Sequence, residues 1–162
     1  MNLVRRCARP MLAAVFVTGG VDALRHPGKR TEMAAPLVSK VADLTGLPED
    51  PELMVRANGA TMALAGLMLA TGRMPRVAST LLAASLIPTT VVGHPFWSEQ
   101  DPQARKAHQI QFSKNLSLLG GVLLAAVDTA GKPGLTWRAR NAAHAARREA
   151  RLATANAKLA LS

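Results

Sequence analysis

A chain of 162 residues with a formal charge of +10, 49% hydrophobic but only 3% aromatic, is one domain's worth of material and lacks the aromatic residues of a large sheet core. Alanine, leucine, methionine and valine supply its apolar surface, there is no tyrosine, and the composition points to an all-α protein. The single cysteine, Cys7, excludes an intrachain disulfide and a Cys-x-x-Cys redox pair.

The charge is unevenly spread. From Lys132 onward seven basic residues stand against one acid, Glu149, while the preceding body is nearly balanced. A sequence pI of about 11.3 is typical of proteins that meet a polyanion. Here the excess belongs to a tail, so it does not make the body a nucleic-acid binder.

In chain order, uncharged apolar runs occupy Pro10–Val21, Ala57–Gly72, Val77–Trp97 and Asn115–Val127, which are 12, 16, 21 and 13 residues long. Crossing the hydrocarbon takes about 20 residues, which only the third run supplies unaided. The others become long enough when a polar or charged residue near an end is admitted: Asp22 in the first, Arg56 in the second, Lys114 in the fourth. Basic side chains snorkel from such positions and an aspartate can face inward. The expected spans are therefore residues 8–24, 55–72, 75–97 and 110–130. A soluble Ala-rich bundle is the competing reading, but its helices need a polar stripe facing water. "ATMALAGLMLATG" and "VASTLLAASLIPTTVVG" offer only Ser and Thr, which helical backbone satisfies.

Orientation follows from the basic residues in the connecting segments. With the N-terminus inside, the inner segments hold twelve Lys and Arg and the outer ones eight, and eight of the ten acids fall outside. N-in, C-in is the expected topology, in a plasma membrane. A cleaved signal peptide at "MNLVRRCARPMLAAVFVTGGVDA" is the alternative, which leaves three spans and an external tail.

Between the first two spans, Leu37, Val41 and Leu44 give Met33 to Leu44 a helical period that Pro48 and Pro51 end, so a short outer amphipathic helix is expected. An unstructured linker is the other reading. Small residues, Gly19 and Gly20, Gly59, Ala63 and Gly66, and Gly120, Gly121 and Ala125, are expected to let helices approach closely. Asp128, at the inner end of the fourth span, is placed to pair with Arg5, Arg9 or Arg73.

The topology puts Asp22, Arg56, Asn58, His94, Trp97, Lys114 and Asn115 at the outer end of the bundle. Lys114 is placed to pair with Asp22, and Arg56 with Asn58 repeats the cation-then-amide order of Lys114 with Asn115. Two readings stand. These residues stitch helices together by hydrogen bonds, or they form a ligand site for a quinone headgroup or a similar small polar group, since intramembrane ionisable residues mark function by default. His94 and His108 offer imidazoles with no further ligand at helical spacing, so no metal site is expected, and Trp97 reads as an interfacial anchor.

The tail, residues 134–162, is rich in Ala and Arg and free of internal proline. Trp137 marks an interface, and the basic helix beyond it suits anionic lipid on the cytoplasmic leaflet. Nucleic acid and a cytoplasmic protein are the alternative partners; no aromatic interleaving supports the first.

Three stretches then become recognisable together: "RPMLAAVFVTGGVDALRHP", "RANGATMALAGLMLATGRMPRVA" and "GHPFWSEQDPQARKAHQIQFSKNLSLLGGVLLAAVDTAGKP". From about Arg5 to Pro133 the chain resembles the DoxX family of small bacterial membrane proteins. The resemblance implies a four-helix transmembrane bundle over residues 1–133. It also implies a redox connection, because the family takes its name from a subunit of a thiosulfate:quinone oxidoreductase and relatives are associated with superoxide defence and sulfur transfer. It brings no catalytic residue and no intrinsic cofactor, though a quinone fits its setting. The lone Cys7 separates the chain from related bundles with paired thiols. The functional expectation is a membrane subunit or organiser of a redox-linked complex. A purely structural membrane protein is the alternative, and a small-solute transporter lacks the broken helices and internal repeat that mark one.

Overall fold

The structure, a computed structural model, describes residues 3–46, 48–129 and 134–160. Every regular element among them is helical: α1 (Leu3–Arg25), α2 (Gly28–Thr45), α3 (Pro51–Thr71), α4 (Pro75–Gly93), α5 (Pro102–Val127) and α6 (Leu135–Ala160). The chain divides into two compact units, Met1–Asp128 and Thr129–Ser162.

Local chemistry sets most of these boundaries. Pro51, Pro75 and Pro102 each sit in a first helical turn, where the missing N–H has no intrahelical partner to lose. Asp50 accepts a hydrogen bond from the Leu53 N–H, and Asp101 accepts from Gln103 and Ala104, so α3 and α5 begin on carboxylate caps. Gly72 closes α3 in the left-handed region at φ 72°, its N–H bonded to the Leu69 carbonyl, and α4 starts within three residues. Their tight link forces α3 and α4 antiparallel.

Among the described residues four helices, α1, α3, α4 and α5, are long and apolar enough to cross a membrane. They differ from the expected spans mainly at their ends. α4 stops at Gly93 rather than residue 97, because His94 precedes Pro95 and a residue before proline is driven out of the helical region. α5 starts eight residues before the expected 110, since the Asp101 cap recruits the polar "PQARKAHQ" into the helix, and it ends at Val127 rather than 130.

In the first unit α1 packs on α3, α3 on α4 and α4 on α5, with a smaller α1–α5 contact closing the ring; α2 lies against α3 and α4. The core holds Phe16, Leu69, Leu82 and Val122, fully buried, with Ala13, Met62 and Leu86 around them. The α1–α3 seam is the closest. A Cβ on Gly20 would lie 2.6 Å from the Gly59 carbonyl oxygen and 2.7 Å from the Ala63 nitrogen. Further along, a Cβ on Gly66 would lie 2.7 Å from a Val17 methyl. Gly121 faces Leu12, but Gly120 has open space where a side chain would stand, so it does not serve the close packing expected of it.

At the end where α5 stops, Asp128 gathers three helices. Its carboxylate accepts from Arg5 Nε at 2.9 Å and Arg9 Nη2 at 3.4 Å, both on α1, and its backbone carbonyl accepts from Arg76 Nε of α4 at 3.2 Å. Arg76, rather than the expected Arg73, is the α4-side partner shown there.

Candidate functional site

The opposite end of the bundle, where α1 and α4 finish and α3 and α5 begin, contains a cavity of about 880 Å³. That is within the range of sites that enclose most of a small organic ligand. Its walls are apolar, with Phe16 of α1, Leu86 of α4 and Leu118 of α5 towards the bundle centre and Val38 and Val41 of α2 on one side. Against this background a few polar groups converge: Asn58 of α3, Thr89 of α4, His94 just past α4, and Asn115 of α5. His26, Lys29 and Arg30, at and after the α1–α2 corner, also border it, and among the described residues no carboxylate does.

Helical phase answers why Lys114 and Asn115 stand side by side in an apolar helix. Successive residues point about 100° apart. Asn115, half-buried, borders the cavity, whereas exposed Lys114 lies on the outer face of α5 with Lys106, Gln109 and Ser117.

The structure brings together Asn58, His94 and Asn115 of the seven residues anticipated. Asn58 donates from Nδ2 to Thr89 Oγ1 at 3.0 Å, tying α3 to α4. The His94 and His108 rings meet across the α4–α5 connection with their Nδ1 atoms 3.4 Å apart. Among the described residues no three His, Cys, Asp or Glu side chains converge as metal ligands would.

The other four residues are placed elsewhere. Asp22 does not meet Lys114; it pairs with Arg30 at 2.6 Å and His26 at 3.2 Å on the exposed side of the α1–α2 corner. Arg56 pairs with Glu52 at 2.8 Å and donates to the Leu24 carbonyl at 2.7 Å, fastening α3 to the end of α1. Trp97 is in the turn after α4, edge-on to Phe96 and Phe112 with ring centroids 5.1 and 6.2 Å away. Thr89, His26, Lys29 and Arg30 were not anticipated. The hydroxyl of Thr89 can be satisfied within its own helix, and His26, Lys29 and Arg30 precede the Met33–Leu44 segment whose period the sequence shows; α2 reaches back to Gly28 and carries Lys29 and Arg30 with it.

Burial, and then the neighbouring His108, hold the His94 imidazole below its ordinary range. Its neutral form is the one the fold accommodates, so the unfolded chain takes up the proton first as pH falls. The stability this gives is complete above the unfolded value and is lost as pH drops through it towards the folded one. The detergent-solubilised protein is therefore expected to melt at lower temperature at about pH 5 than at about pH 7, and His94→Gln to flatten that slope. An equal slope in the variant would exclude His94 as its source.

The DoxX family model matches residues 6–95, more than half the chain. The chain belongs to the DoxX family. The match runs from the first turn of α1 to the residue after His94, so it takes in three of the four candidate spans and Asn58, Thr89 and His94 of the cavity wall. No curated protein and no solved structure matches the chain. With its four long apolar helices, this DoxX protein is a multi-pass membrane protein.

Proposed function

We propose that this DoxX protein is an integral membrane subunit or organiser of a redox-linked complex, and that its cavity receives the headgroup of a lipid-soluble quinone. The observation that carries the reading is an apolar vault of about 880 Å³ in which amides and an imidazole converge from three helical segments. A quinone has the complementary anatomy: a flat apolar ring with two carbonyl acceptors and an apolar tail. Asn115 and His94 supply donors for the carbonyls, and Asn58, positioned by Thr89, adds a second amide. The apolar walls take the ring and the start of the tail. A bound quinone would supply two-electron redox chemistry; the protein's part is to bind and orient the ring and to keep water from it.

The setting proposed is the bacterial plasma membrane with both termini cytoplasmic, as the distribution of basic residues favours. The arginine-rich Asp128 end of the bundle is then inner and the cavity opens at the outer leaflet.

The test is titration of the delipidated, detergent-solubilised protein with a short-chain quinone. Saturable binding is expected, weakened about tenfold by Asn115→Leu, which removes one hydrogen bond and leaves an acceptor unpaired. Lys114→Ala, on the far face of α5, should bind as wild type does. A second reading, a protein whose polar groups only fasten helices, is favoured by the Asn58–Thr89 bond, which joins α3 to α4 without any ligand. In that case no quinone binds and Asn115→Leu alters thermal stability alone.

A further inference from the structure

Helix α6 is separate from the quinone reading, and its side chains divide by face. With each residue advancing about 100°, Trp137, Arg140, His144, Arg147, Arg148 and Arg151 fall within an arc of about 100°. Ala139, Ala142, Ala143, Ala146, Ala150 and Ala153 fill a second arc of about 100°, centred about 140° away on the other side of the helix. Every residue from Trp137 to Ala153 is exposed, and Glu149 is the only acid in the helix. The cationic side has a second feature: its one aromatic, Trp137, is 56% exposed and stands among the arginines rather than among the alanines.

We propose that this arginine face of α6 docks on an anionic phospholipid surface, at the level of the headgroups. Charge complementarity selects the partner, since four arginines in one arc match a layer of phosphates. The alanine face excludes the usual alternative of an inserted amphipathic helix, because alanine offers too little apolar area to hold a helix among acyl chains. Trp137 has an amphipathic ring suited to the headgroup layer, on the side where the phosphates are met. Nucleic acid carries the same phosphate chemistry, but it is disfavoured on two grounds. A single tryptophan gives no series of stacking platforms, and four membrane spans in the same chain hold α6 at a high effective concentration of lipid headgroups.

Docking of this kind is electrostatic, so salt reverses it and each arginine contributes a roughly fivefold effect. The experiment is amide hydrogen exchange of the full chain in nanodiscs of neutral phosphatidylcholine and of phosphatidylcholine with phosphatidylglycerol. Exchange between residues 138 and 153 is expected to be at least about tenfold slower in the anionic discs, and to recover at about 0.5 M salt. Arg140→Gln/Arg147→Gln/Arg151→Gln, which keeps helix propensity, is expected to remove the protection. Ala142→Gln/Ala146→Gln, on the opposite face, is expected to keep it. Equal exchange in the two kinds of disc would overturn the proposal, as would protection that survives the arginine variant but not the alanine one. Protection conferred in neutral discs by a short RNA, with none from anionic lipid, would overturn it in favour of a nucleic-acid face.

Discussion

Gly20→Val is expected to cost about 3 kcal/mol or more of stability and to lower the melting temperature of the detergent-solubilised protein well below that of wild type. The cause is the nature of the obstruction. Even the first carbon of a side chain at this position would lie 2.6 Å from one backbone atom of α3 and 2.7 Å from another, and backbone cannot rotate aside as a side chain can. The two helices must separate, and the α1–α3 seam buries Phe16, Ala13, Met62 and Ala63 around that point. Gly120→Ala serves as the control. A methyl there meets nothing within 4 Å, so it should be neutral or slightly stabilising through helix propensity. Thermal unfolding followed by tryptophan fluorescence distinguishes the two, and equal melting temperatures would mean that α1 and α3 do not pack through Gly20.

Asp128→Ala is expected to be the next most damaging change, at about 2 kcal/mol. Arg9 is the reason: its side chain is only 9% exposed, and with Asp128 gone its charge is left buried without the carboxylate it faces at 3.4 Å. Removing one partner of a fully buried pair costs about 3–5 kcal/mol. The lower figure allows for the partial exposure of Asp128 and Arg5, 26% and 32%. The expected signature is recovery on a second change. Arg9→Met in the Asp128→Ala background removes the stranded charge but keeps an apolar stem, and should regain part of the lost melting temperature. If the double variant is no better than the single one, the loss lies in the Asp128 carboxylate's contact to Arg5 rather than in Arg9, since the bond from Arg76 goes to the backbone carbonyl and survives the substitution.

The apolar segments that became α1, α3, α4 and α5 were legible in the sequence because composition alone distinguishes them, and Pro51, Pro75 and the Gly72 turn mark where they change direction. Boundaries set by backbone sterics were not. The run to Trp97 is apolar throughout, so hydropathy carries it past Pro95, although the residue before that proline cannot remain helical. The polar residues at one end were found by depth, which sequence order does give, but depth does not give phase. Lys114 and Asn115 share a depth but point about 100° apart, one exposed and the other bordering the cavity. Asp22 appeared to await Lys114 because both stood near one boundary; the α1–α2 corner brings Arg30 within 2.6 Å first, a contact only the fold specifies. Gly120 and Gly121 looked equivalent for the same reason, and only Gly121 has a neighbour, Leu12, to accommodate.

The measurement that most directly tests the central claim, that the cavity bounded by Asn58, His94 and Asn115 holds a quinone, is organic extraction of the protein purified in mild detergent from its own membranes, followed by mass spectrometry. Near-stoichiometric quinone in the wild type and in Lys114→Ala, with loss from folded Asn115→Leu, is the result expected. Folded, monodisperse wild-type protein without quinone, or quinone retained equally by Asn115→Leu, would contradict it.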